Sequence, residues 1–152
     1  MSSNFFNQPH QRERKDVAVE VGHLEVTEAR GARRWWSVIV IVLVVAVFAE
    51  AIFAGAMLSG IDGARTAHKV TAAILVATTL ATGLVAVVTL RRVAHGTRLG
   101  LTLLALAIVL FAQAAVGTLA ARGANLLWLH VPLGVALFGL AVHAVTRARR
   151  LR

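Results

Sequence analysis

The chain contains no cysteine in its 152 residues. That excludes disulfides, iron–sulfur clusters and thiolate metal sites, and it leaves the redox compartment open. Charge is scarce as well. Only 15% of the residues are charged, whereas 58% are hydrophobic and the mean hydropathy is +0.74. A soluble domain carries about 25% charged residues. The length allows one domain, and the apolar surplus is too large for one soluble core. A cleavable signal peptide is not expected either. The first apolar run follows a polar stretch of over thirty residues and is too long for a signal core.

What is present is a set of four long apolar runs. They cover about residues 35–58, 66–90, 99–121 and 126–145. Each is near the ~20 residues that a helix needs to cross the hydrocarbon core. Their apolarity is continuous rather than alternating, which predicts helices and not barrel strands. The expected fold is therefore all-α, an integral membrane four-helix bundle over 35–146. A polar tail, residues 1–34, precedes it, and a basic end, residues 147–152, follows. Within the tail, Asp16 to Val21 alternates like a strand, but a lone strand has no partner. A flexible cytoplasmic tail is the expectation there.

Net charge is +9, which raises the question of nucleic acid. The positions of the charges answer it. Thirteen of the sixteen Lys and Arg residues fall in the tail, the loop 91–98 and the C-terminal end. They flank apolar segments, as membrane-edge charges do, so no nucleic-acid partner is expected. The other three are Arg65, Lys69 and Arg122, beside the two opposite loops. The positive-inside rule then places both termini in the cytoplasm of a cell (inner) membrane. Trp35 and Trp36 would anchor the inner interface and Trp128 the outer one.

The two halves of the bundle align at a shift of 62 residues. Gly55 falls on Gly117, His68 on His130 and Leu75 on Leu137, with Gly and His 13 residues apart in each half. Phe48-Ala49-Glu50-Ala51 matches Phe111-Ala112-Gln113-Ala114, one residue out of step. The bundle thus reads as two related helix hairpins. Its second and fourth helices are parallel, and their histidines lie at one depth near the outer face. In a four-helix bundle such helices can face each other across a diagonal. Two imidazoles so placed suit the two axial positions of a haem iron.

Other residues fit a b-type haem there. Gly55 and Gly117 would leave room on the first and third helices, and Gln113 shares the face of Gly117. Ala72 and Gly134 lie four residues beyond each histidine on the same helical face. Arg65, Lys69 and Arg122 would meet the propionates. Against this stands the plainer reading, in which each histidine is interfacial and each glycine serves helix packing. His143 lies 13 residues beyond His130, about 20 Å along the helix. Its repeat equivalent is Ala81, which cannot ligate, so one haem and not two is expected. His10, His23 and His95 fall in polar segments. Glu50 is an intramembrane carboxylate, which by default marks function. It points about 140° away from Gly55 by the helical step. It is expected to be protonated, paired with a polar group such as Thr78, Thr79 or Thr82, or part of a proton path.

A four-helix unit with histidines on its second and fourth helices resembles one half of heme A synthase. The resemblance covers about residues 36–146. It is carried by Gly55, His68, Gly117, His130 and the segment Leu129-His130-Val131-Pro132-Leu133-Gly134. The chain is also similar to small bacterial four-span membrane proteins with a comparable Leu-His-Val-Pro-Leu-Gly helix. The family has two such halves, often an outer-loop cysteine pair, and a glutamate three residues before a histidine. Here there is one half, no cysteine, and Arg65 at the glutamate position.

Three readings of function follow. The first is a small membrane cytochrome that passes electrons between a quinone or redox protein and an outer-side acceptor. The second is a cofactor-free accessory or assembly subunit. The third, implied by the resemblance, is a haem-modifying protein acting as a homodimer. A channel or transporter is weaker, because no broken helix or charged lining is visible.

Overall fold

The computed structural model describes residues 8–151, with side-chain surroundings given only in part over residues 8–32. Four helices account for nearly all of it: α1 (Gln8–Leu58), α2 (Ala64–Thr89), α3 (Gly96–Ala121) and α4 (Leu127–Ala148). No strand occurs among the described residues. The apolar parts are Arg33–Leu58, Ala64–Thr89, Gly96–Ala121 and Leu127–Ala148, each long and apolar enough to cross a membrane. The four expected spans and the all-α class are thus present, with ends that differ by a few residues. Residues 8–34 differ more. They continue α1 as helix, and the strand-like alternation at Asp16 to Val21 lies inside it. Residues 1–7 of the tail lie outside the described residues.

Short turns make the hairpins. Gly60, Gly63 and Gly123 take left-handed φ values of 75°, 77° and 100°, which a glycine adopts without steric cost. These turns share one end of the bundle, called distal below. The α2–α3 turn, α4's arginine-rich end and the start of α1's apolar segment share the other, called basal.

The helices pack in a ring. Helix α1 lies against α2 and α4, and α3 lies against α2 and α4. The diagonal pairs α1·α3 and α2·α4 make no close backbone approach. The pattern of exposure is inverted relative to a soluble protein. Val42, Val45, Phe48, Ile52, Val88, Ile108, Phe111 and Val135 all point outward, as a lipid-facing surface requires. Trp35 and Trp128 are 70% and 69% exposed at opposite ends, where membrane interfaces would lie.

The core is confined to the basal half. Among the described residues, the largest fully enclosed side chains are Leu99, Leu103 and Leu106 of α3, Val40 of α1, Thr79 of α2, and Leu151 beyond α4. Glycines bring α2 and α3 together there. A Cβ on Gly100 would lie 2.6 Å from a methyl of Val87 and 2.8 Å from its backbone nitrogen. One on Gly83 would lie 2.9 Å from Leu104. Lipid is as apolar as leucine, so such close backbone approach, rather than burial from water, holds membrane helices together. The core stops at Val47, Leu75, Leu110 and Leu137, each about eleven residues from its helix's distal end. Over that last ~16 Å of helix only Ala64 is buried.

Candidate functional site

Apart from Thr71, which is bonded to its own helix, the half-buried polar side chains of the distal half come one from each helix: Glu50 on α1, His68 on α2, Gln113 on α3 and His130 on α4. All four are half-buried. Glu50 and Gln113 each lie eight residues from the distal ends of their helices, about 12 Å deep. His68 and His130 lie in the first turns of theirs, and their side chains meet the deeper pair across the helix contacts.

Glu50 is partnered by His68. Its Oε2 stands 2.8 Å from His68 Nδ1, with the two side chains 14% and 20% exposed. The atoms are close but not in line for a good hydrogen bond, so the contact is an electrostatic pairing with imperfect alignment. A carboxylate at this depth costs about 2.5–3.5 kcal/mol at a span's centre unless it finds a partner, and the imidazole is that partner. The threonines considered for Glu50 serve otherwise. Thr78 and Thr82 donate to carbonyls of their own helix, Ile74 and Thr78, at 2.8 and 2.7 Å. Thr79 is fully buried in the basal core.

Gln113 reaches α4. Its Nε2 donates to the His130 backbone carbonyl at 2.9 Å and stands 3.5 Å from the ring's Nε2. The other ring nitrogen, Nδ1, is buried with no hydrogen-bond partner, and so is Gln113 Oε1. The two histidines come from opposite corners of the ring of helices. They belong to α2 and α4, the diagonal pair whose backbones do not touch.

The remaining expected site residues are distributed unequally. Gly117 faces the site, but its space is taken by the His130 ring: a Cβ there would lie 2.7 Å from His130 Cε1. Gly134 faces it as well, and a Cβ there would lie 3.1 Å from Gln113 Nε2. The room these glycines provide is therefore filled by protein side chains. Ala72 is half-buried one turn below His68. Gly55 is exposed, and a Cβ on it would meet nothing within 4 Å. The reason is rotational: Glu50 turns inward, and the helical step carries Gly55 to the opposite side. Arg65, Lys69 and Arg122 are exposed around the distal rim. His143 is exposed and accepts a hydrogen bond from Arg147 Nε at 3.1 Å, away from the other two histidines.

The contact that sequence reasoning missed is Glu50 with His68. Its signal was present in the repeat: Glu50 precedes His68 by 18 residues, and Gln113 precedes His130 by 17. Among the described residues no three His, Cys, Asp or Glu side chains converge as ligands for a bare metal ion. Comparison with family models, with curated proteins and with solved structures gives no match to this chain.

Proposed function

We propose that this multi-pass membrane protein binds one b-type haem between His68 and His130 and transfers electrons in the membrane. The observation that carries the reading is the pair of histidines on the two diagonal helices, inside the half of the bundle that lacks a sealed core. Each has a feature that suits ligation. A carboxylate stands 2.8 Å from Nδ1 of His68, out of line for a good hydrogen bond, and in metal sites such a neighbour, once aligned, orients the ring and leaves Nε2 for the metal. His130 has a buried ring nitrogen that lacks a partner. Bound haem would supply the one-electron chemistry, and the protein ligands, burial and charge. Arg65, Lys69 and Arg122, exposed at the same end, suit the propionates. By the distribution of Lys and Arg, this end faces outward, and both termini lie in the cytoplasm of the inner membrane. A quinone or a redox protein is the electron partner of this reading.

The test is the visible spectrum of the protein purified from haem-replete cells. A Soret band with sharp reduced α and β bands is expected. It should be lost in His68→Ala and in His130→Ala and retained in His143→Ala. A colourless protein that also fails to take up added haem rejects the reading.

A second reading has its own observation. The His130 ring and the Gln113 amide already fill the space beside Gly117 and Gly134. That favours a cofactor-free accessory subunit in which the four polar groups hold the distal helices together. In that case His130→Ala lowers thermal stability and no haem spectrum accompanies the wild-type protein. The haem-modifying reading, as a homodimer, differs from both in its product: haem extracted from expressing cells would contain an altered porphyrin by mass.

A further inference from the structure

Most of the chain's arginines lie away from the distal site, at the basal end. We propose that the α2–α3 turn and the turn after α4 together form a docking surface for the phosphate headgroup of an anionic phospholipid in the leaflet at that end. The inference stands independently of the haem reading.

The chemistry of the surface comes first. Arg91, Arg92 and Arg98 on the first turn, and Arg149 and Arg150 on the second, are all exposed. No aspartate or glutamate occurs from Gly63 to Arg152, so neither turn contains an acid that would neutralise them. All five are arginine, although the chain uses lysine at Lys15 and Lys69. A guanidinium grips a phosphate through two parallel N–H donors, whereas an ammonium is only a point charge.

The fold then fixes where these charges stand. Like charges repel, and a loose basic segment would spread into water. Here each turn is pinned by a buried leucine next to an exposed arginine. Leu90 adjoins Arg91, Leu99 adjoins Arg98 and Leu151 adjoins Arg150, and the three leucines belong to one apolar cluster. Backbone hydrogen bonds hold both turns, from Val93 N–H to the Leu90 carbonyl at 3.0 Å and from Arg149 N–H to the Val145 carbonyl at 3.0 Å. A Cβ on Gly96 would collide with the Leu90 carbonyl, so the first turn is tight. Trp36 packs against the same cluster and Trp35 is exposed beside it, which sets the headgroup level at this end. One turn deeper, Val88 and Leu101 point outward and offer the lipid's acyl chains an apolar wall. That wall favours a lipid over a polyanion dissolved in water. Clusters of four to eight basic residues at a membrane edge have the charge that anionic headgroups match.

The test is native mass spectrometry of the protein in detergent, titrated with phosphatidylglycerol and with phosphatidylcholine. Wild type should retain phosphatidylglycerol in preference. Arg91→Gln/Arg92→Gln and Arg149→Gln/Arg150→Gln should each weaken that binding by about 25-fold, at about fivefold per arginine. Arg65→Gln/Arg122→Gln removes the same charge from the distal rim and should leave it unchanged. Leu151→Ala alters no charge, yet should weaken binding several-fold because the second turn is no longer pinned. Circular dichroism checks that each variant keeps its helices. Equal retention of the two lipids by wild type overturns the proposal. So does a distal pair that matters as much as a basal pair, since net charge alone would then be at work. Inorganic phosphate or short RNA displacing phosphatidylglycerol at equal concentration would show a site for anions in water and overturns it too. Unchanged binding in Leu151→Ala rejects the two turns as one surface.

Discussion

In the basal half of the bundle, Leu99 and Leu103 are 0% exposed, and a Cβ added to Gly100 would drive into the backbone of Val87. In the distal half, Glu50 and the two histidines are half-buried, and a Cβ added to Gly55 would meet nothing. The same four helices run through both halves, and both are rich in alanine, leucine and valine. The difference lies in which residues face inward. Small residues and leucines interlock at the basal end, whereas polar side chains meet in pairs at the distal end. Close packing is thus concentrated at one end, and the inward-facing ionisable side chains at the other.

The largest expected effect follows from that contrast. Gly100→Leu overfills a close α2–α3 approach and should cost about 3 kcal/mol, the upper end of overpacking penalties. Thermal unfolding in detergent, followed by circular dichroism, would show the loss. Gly55→Leu should change stability by under about 0.5 kcal/mol, as outward-facing substitutions do. If the two glycines tolerate leucine equally, the two halves are not packed on different terms. Next in size is Leu106→Ala, which leaves a cavity in the basal core and should cost about 2 kcal/mol. Ile108→Ala, two residues away and 69% exposed, is its control and should cost almost nothing.

In the distal half the measurable quantity is a hydrogen bond rather than a cavity. Gln113→Leu removes the donor to the His130 carbonyl and should cost about 1 kcal/mol. If the protein binds haem as proposed, the substitution should also broaden the α band, since His130 loses the contact to its backbone carbonyl. A variant as stable as wild type, with an unaltered spectrum, would remove Gln113 from the site.

The four spans were legible because uninterrupted apolarity over ~20 residues has few other outcomes. The depth of His68 and His130 was legible too, because it depends only on counting residues along parallel helices. Rotation was not. Hydrophobic residues line both the inward and the lipid-facing sides, so no amphipathic stripe tells which way a helix turns. That is why Gly55 was expected beside the ring and is found facing out, and why Glu50 was not matched to His68. The unequal packing of the two halves was hidden for the same reason: Leu75 and Leu137 align with each other in the repeat, yet nothing in that alignment marks them as the edge of the core. The helical continuation of α1 back to Gln8 was hidden by its polarity, since sequence periodicity reports burial and this segment has little to bury.

Thr79 gives the smallest expected effect. It is 0% exposed in the basal core, and its hydroxyl has no partner. Thr71, Thr78, Thr82 and Thr89 on the same helix each donate to the carbonyl four residues back. The corresponding acceptor for Thr79 is the Leu75 carbonyl, and the Thr78 hydroxyl approaches that carbonyl at 3.2 Å. A buried hydroxyl without a partner costs stability, whereas a methyl in the same place would pack against the surrounding leucines. Thr79→Val should therefore raise the melting temperature in detergent by a few degrees, equivalent to about 0.5–1 kcal/mol. A fall instead would mean that the hydroxyl is satisfied in the membrane, and that the basal core, like the distal half, contains a polar contact that its packing depends on.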